Sequence, residues 1–129
     1  MLVKDARLWA TQLDIESTGS KLKAQNSQIS VLGLKIERAG PVMELSAGSE
    51  AEVLGGLLYP VDDVSGVDAA FVIRDSVASL SYMVNAYSSE ANYPTHIAAI
   101  GNGSVQTIRR GELPSRGRFG SMVARYSSG

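Results

Sequence analysis

The chain has 129 residues, enough for one domain with its own core. Hydrophobic residues make up 44% and charged residues 19%, with a net charge of −1, the range of a soluble globular protein. Cysteine is absent, which excludes disulfides, thiolate nucleophiles and cysteine-ligated metals. No stretch approaches the ~18 apolar residues of a membrane span, and the opening MLVKDARLWA reaches Asp5 too soon for a cleaved leader.

In chain order, ARLWATQLDIESTGSKLKAQ reads as strand, turn, strand. Trp9, Thr11, Leu13 and Ile15 share one face by period two, with Asp14 and Glu16 opposite. Ser17–Ser20 is the turn, with Gly19 free to take positive φ, and Leu22 and Ala24 lie on the return strand. A second strand carries Leu32, Leu34 and Ile36 on one face and Lys35 and Glu37 on the other, and Gly40-Pro41 ends it. Val42 to Leu45 is a short strand. Ser49 with Glu52 forms a capping-box pattern for one helical turn, stopped by Gly55-Gly56, and LLYPVDDVSG follows as a loop or edge.

The segment from Asp68 to Tyr87 supports two readings. Ile73, Val77, Leu80, Val84 and Tyr87 trace a helical stripe, while its many β-formers suit two strands around a serine-rich bend. Asn102-Gly103 favours a type I′ turn, making Ile97–Ile100 and Val105–Arg109 the arms of a hairpin. A flexible Arg/Gly-rich loop over 109–120, a final strand in SMVARYS and a frayed SSG tail complete the chain. No internal repeat is read. The expected inward set is Trp9, Leu13, Ile15, Leu32, Leu34, Ile36, Ile97, Ile108 and Val123.

The sequence offers little chemistry. His96 is the single histidine, without the partners a triad or metal site requires, and reads as a strand-surface or satisfied core residue. GNGSVQ lacks the third glycine of a dinucleotide fingerprint and sits in a hairpin. DDVSGVD has the wrong spacing for a calcium loop and reads as a solvated acidic loop. No acid–base pair can be named, so the expectation is a non-enzyme without cofactor or metal.

Charge is segregated. Residues 39–73 hold six acids and no Lys or Arg, whereas 104–129 hold five arginines and one acid. Three readings fit the arginines: a solvated surface, phosphate contacts to nucleic acid, or docking on an acidic surface of a neighbour. Arginine suits the last because its planar fork makes bidentate pairs and is cheaper to desolvate than lysine. The expected basic interface is Arg109, Arg110, Arg116, Arg118 and Arg125, and the acidic one Glu50, Glu52, Asp62, Asp63 and Asp68. A head-to-tail contact of this kind builds rings or lattices.

A strand-rich, cysteine-free chain opening with LWATQLDIESTGSKLKA and closing with IRRGELPSRGRFGSMVARY resembles small bacteriophage virion proteins: head decoration (cement) proteins and tail β-domain proteins. The resemblance implies a virion subunit, made in the host cytoplasm, that forms a homo-oligomer such as a trimer or ring. It would contact another virion protein, such as the major capsid protein, and neither a membrane nor nucleic acid. The expected fold is a single mainly β domain, a β-sandwich or jelly-roll-like barrel, with room for one helix at 68–87. The alternative is a small-ligand or carbohydrate-binding β-module with a concave site around Tyr59, Tyr87 or Tyr93.

Overall fold

A computed structural model describes residues 1–128. The chain is mainly β, as expected, but its strands stack as a β-solenoid rather than a sandwich or jelly roll. Each rung supplies one strand to each of two sheets. The rungs are β1 (Leu2–Lys4) with β2 (Arg7–Ile15), β3 (Leu22–Gln25) with β4 (Gln28–Ile36), β5 (Met43–Ser46) with β6 (Glu50–Leu58), and β7 (Phe71–Arg74) with β8 (Val77–Val84). Sheet A runs β1-β3-β5-β7-β9 in parallel, with β9 at Thr95–Gly101, and sheet B runs β2-β4-β6-β8 in parallel. The winding then stops. β10 (Ser104–Arg109) turns back antiparallel on β9, and β12 (Gly120–Ser128) lies antiparallel on β8, edged by the two-residue β11 (Ser115–Arg116).

A structural repeat is therefore present where the sequence reading found none. Leu2 pairs with Lys23 and Lys23 with Glu44, a register of 21 residues per rung, before longer arcs stretch the later rungs. The short corner recurs with a left-handed residue at Asp5, Asn26, Ala47 and Asp75. Short polar side chains tolerate that conformation best. Serine hydroxyls tie successive corners. Ser27, Ser49 and Ser76 each accept an N–H from the preceding rung (Ala6, Ser27 and Ser49, at 3.1–3.2 Å) and donate to a carbonyl of their own corner.

The interior is built of stacked columns. Across sheet B these read Leu8-Ile29-Ala51-Ala78, Ala10-Val31-Val53-Leu80, Leu13-Leu34-Gly56-Tyr82 and Ile15-Ile36-Leu58-Val84. Sheet A contributes Leu22-Met43-Phe71-Ile97 and Ala24-Leu45-Ile73. These strands are covered on the inner face by the opposite sheet, and the columns of Val, Leu and Ile fill the space between.

Several expectations need correction. Of the two readings of residues 68–87, the structure bears out the two strands, β7 and β8, and not the helix, because their apolar residues stack in register on β5 and β6. Glu52 lies within β6 and Ser49 in the corner just before it, where the Ser49 hydroxyl serves the corner ladder rather than a helix cap. The strand holding Leu22 and Ala24 does not return on its predecessor but enters the other sheet. Leu13, Ile15, Leu34, Ile36, Ile97, Ile108 and Val123 do face the core, but Trp9 and Leu32 are 76% and 60% exposed, and Thr11 also points out. The cause is one extra residue per strand. Gln12, Gly33 and Gly55 carry φ of 54°, 80° and 75° and align across β2, β4 and β6. Each reverses the odd–even alternation within its strand. The Asn102-Gly103 hairpin, the short β5 and the closing strand appear as read, although Ser127 and Ser128 belong to β12; Gly129 lies outside the described residues.

Candidate interaction surfaces

The two ends of the solenoid are built differently. At the C-terminal end, Ile108, Leu113, Phe119 and Tyr126 fold onto the core, and a buried polar network fastens the cap. Asn92 donates to the Phe119 carbonyl (2.9 Å) and to the Ser121 hydroxyl (3.0 Å). Its Oδ1 therefore accepts from His96 Nε2 at 3.1 Å, which leaves His96 Nδ1 to accept from the Tyr82 hydroxyl at 3.2 Å. His96 is the fully buried, satisfied histidine the sequence reading anticipated as one of two options. Burial, aided by the Arg110 charge, lowers its pKa to about 4, so it is neutral at physiological pH. Burial likewise pushes the Tyr82 and Tyr93 phenols up.

The five arginines gather at this capped end in sequence but not in role. Arg110, in a short 3-10 helix at Arg110–Glu112, donates to the carbonyls of Ser89 (2.7 Å) and Asn92 (3.1 Å) and holds the preceding arc in place. Arg110 and Arg118 flank a cleft of about 300 Å3 that also includes Asn92, Leu113 and Phe119, with the Arg118 guanidinium 5.1 Å from the Phe119 ring centre. Arg109 ends β10, Arg116 lies on β11 and Arg125 on β12, all exposed.

The acidic residues divide into two groups. Glu50 and Glu52 project from the outer face of β6, where a trough of about 430 Å3 also includes Trp9, Ser30, Ser79 and Ser127. Asp62, Asp63 and Asp68 lie on the 59–70 arc. Asp62 is engaged internally, accepting from the Ala39 N–H (3.1 Å) and meeting Arg38 at 3.4 Å. The Ser65 side chain first, and then the Ser65 N–H that donates to Asp63 at 2.7 Å, hold the Asp63 carboxyl below the usual range. Beneath this arc the buried Lys21 ammonium donates to the carbonyls of Gly19 (2.8 Å) and Ala39 (2.6 Å), and burial lowers its pKa. Of the three tyrosines considered for a concave site, Tyr93 is buried and donates to the Gly40 carbonyl, while Tyr87 is exposed.

The N-terminal end is open. Among the described residues β1 pairs only with β3 and β2 only with β4, so one edge of each carries unpaired backbone groups; β10, which pairs only with β9, is the corresponding edge of sheet A at the capped end. The inward residues of this rung, Val3, Leu8, Ala10, Leu13 and Ile15, are only half-buried, and Trp9 stands out from the outer face. Charge runs along β2 from Arg7 at its start to Asp14 near its end and Glu16 just beyond it. Lys35 on the neighbouring strand meets Asp14 (3.4 Å), Glu16 (3.2 Å) and Glu37, so one ammonium serves three carboxylates. Bonds to Glu37 and Glu16 push the Lys35 pKa up. Among the described residues Arg7 makes no ion pair. From the sequence Trp9, Leu13 and Ile15 read as core, and no residue of this edge reads as an interface. The signal for it is the arrangement of rungs, which a single strand does not reveal.

Among the described residues no group of three His, Asp or Glu side chains is placed to hold a metal, and no helix is long and apolar enough to cross a membrane. No family model matches the chain, and neither curated proteins nor solved structures give a significant match.

Proposed function

We propose that the chain is a non-enzymatic structural subunit, a solenoid segment with an antiparallel cap at one end that builds into a larger assembly through its open first rung. The observation supporting this is the asymmetry of the ends. The last strands reverse direction and fold apolar side chains over the core, while β2 leaves nine residues of parallel edge uncovered. An exposed edge of this length is a template for another strand. The resemblance to small phage virion proteins proposes a capsid or tail as the assembly. The test is amide hydrogen exchange with light scattering across concentration. Association that slows exchange of the β2 amides to the level of β4 is expected. A monomer at millimolar concentration whose β2 amides exchange freely would sink the reading.

A second reading, a carbohydrate-binding module, is favoured by Trp9 at one end of the trough with Glu50 and Glu52. Trp9 is the single tryptophan, so its fluorescence separates the two. Assembly shifts the emission with protein concentration alone, whereas a sugar site shifts it only when soluble polysaccharide is added.

A further inference from the structure

We propose that the occupant of the open edge is a second copy of this chain, docked two-fold with β2 antiparallel to its counterpart. The inference rests on the structural-subunit reading and adds the partner and the register.

Three features of β2 select this partner. The first is which face each side chain takes. Because of the extra residue at Gln12, Arg7, Trp9, Thr11 and Asp14 of β2 point outward while Leu8, Ala10, Leu13 and Ile15 point inward, and Glu16, just past the strand, joins the outward set by meeting Lys35. Residues directly opposite in an antiparallel pair must share a face. A two-fold axis passing between Thr11 and Gln12 meets that requirement outside its centre. It sets Arg7 opposite Glu16, Leu8 opposite Ile15, Trp9 opposite Asp14 and Ala10 opposite Leu13. Apolar then meets apolar on the inner face, and the two half-covered interiors become one continuous core.

The second feature is charge. The acidic end of β2 carries three carboxylates around the single Lys35 ammonium, an excess of two negative charges, while Arg7 at the basic end is without an ion pair among the described residues. The two-fold brings each Arg7 to the partner's acidic end, so one operation pairs both Arg7 side chains and halves the acidic excess at both ends. The third is closure. The opposite end differs in kind: β10 and β12 run antiparallel to the solenoid strands and Ile108, Leu113, Phe119 and Tyr126 lie over the core, so it does not repeat the parallel rung that β2 would extend, whereas a symmetric contact of β2 with its counterpart forms a closed pair.

The edge lacks devices that discourage pairing. β2 has no proline and no inward-pointing charge, and its bulge is shared with β4 and β6 rather than confined to the edge.

The test is sedimentation equilibrium by analytical ultracentrifugation on the intact chain and four variants, with circular dichroism confirming that each folds. Arg7→Glu and Glu16→Arg should each raise the dimer dissociation constant about tenfold or more, and the double variant should recover most of the loss. Hydrogen exchange on the same samples reads the edge directly. A dimer with protected β2 amides and charge-swap rescue supports the proposal. Protected β2 amides with no response to either reversal would overturn the second-copy register while leaving the structural-subunit reading in place. Association abolished by Arg116→Glu with Arg118→Glu, and untouched by Arg7→Glu, would move the contact to the cap and overturn the proposal. A monomer with unprotected β2 would overturn both.

Discussion

The first rung and the second are nearly the same strand in different company. β2 and β4 each run nine residues, bend at a left-handed residue in the same place and point the same four positions inward. Yet Ile29, Val31, Leu34 and Ile36 are buried, while Leu8, Ala10, Leu13 and Ile15 are half-covered. The difference comes from neighbours rather than from composition. In a solenoid each rung is buried by the rungs on both sides, so a terminal rung keeps half its burial unless something covers it. The C-terminal end provides that cover within the chain, and the N-terminal end does not.

Truncation within one column breaks or sharpens this comparison most directly. Leu13 and Leu34 are adjacent in the same inward column. Leu34→Ala should cost about 2–5 kcal/mol, the range for a buried leucine that leaves a cavity. Leu13→Ala should cost about 1 kcal/mol in the isolated chain, since part of its surface is already wet. If the open edge is covered in an assembly, the Leu13 penalty should approach that of Leu34 under associating conditions. Urea midpoints measured at low and high protein concentration check both statements. Equal penalties at every concentration would mean the first rung is as well covered as the second.

The capped end should show a pH dependence of its own, set by a buried imidazole. His96 is neutral in the folded chain with its pKa depressed to about 4, whereas the unfolded imidazole titrates near its ordinary value of about 6.5. The unfolded state therefore takes up the proton first. Stability contributed by neutral His96 is intact above about pH 6.5, and falls progressively until about pH 4, where the folded form also protonates. The full loss is of the order of 3 kcal/mol. Protonation puts a hydrogen on Nδ1, where the Tyr82 hydroxyl now donates, and adds charge near Arg110. The measurement is melting temperature against pH for the intact chain and for His96→Gln, since the difference removes the carboxylates common to both. Parallel curves between pH 6.5 and 4 would refute the assignment.

The sequence disclosed the strands more readily than their arrangement. Gly19, Gly40-Pro41 and Asn102-Gly103 marked turns because their chemistry is local. The stacking left a weaker trace: Asp5-Ala6, Asn26-Ser27, Gly48-Ser49 and Asp75-Ser76 mark the recurring corners, but arcs of unequal length hide the period. Trp9 and Leu32 were misplaced because one parity was carried through a strand whose alternation reverses at Gln12 and at Gly33. Period-two reading has no means of detecting an inserted residue when apolar side chains fall on both faces. The cap network was hidden for another reason. Asn92, His96, Tyr82 and Ser121 come together only after the chain has turned back on itself, and nothing in their spacing announces it.

The smallest effect belongs to the bend that caused the error. Gly33 and Gly55 hold positive φ in the second and third rungs, and Gln12 holds it in the first. A Cβ on Gly33 would meet Gln12 N at 3.5 Å, and one on Gly55 would meet nothing within 4 Å, so space does not decide the outcome. Conformation does. Gly33→Ala and Gly55→Ala should each destabilise by about 1 kcal/mol, the cost of placing a Cβ in the left-handed region. Gln12→Gly should act in the opposite sense on the folded state, because it relieves that cost, while the freer unfolded chain offsets part of the gain. A net change smaller in magnitude than that of Gly33→Ala is expected. Denaturant titration of the three variants decides the matter. If Gly33→Ala were silent, the left-handed column would not be holding the bend, and the face assignment of every residue before it in β4 would have to be redrawn.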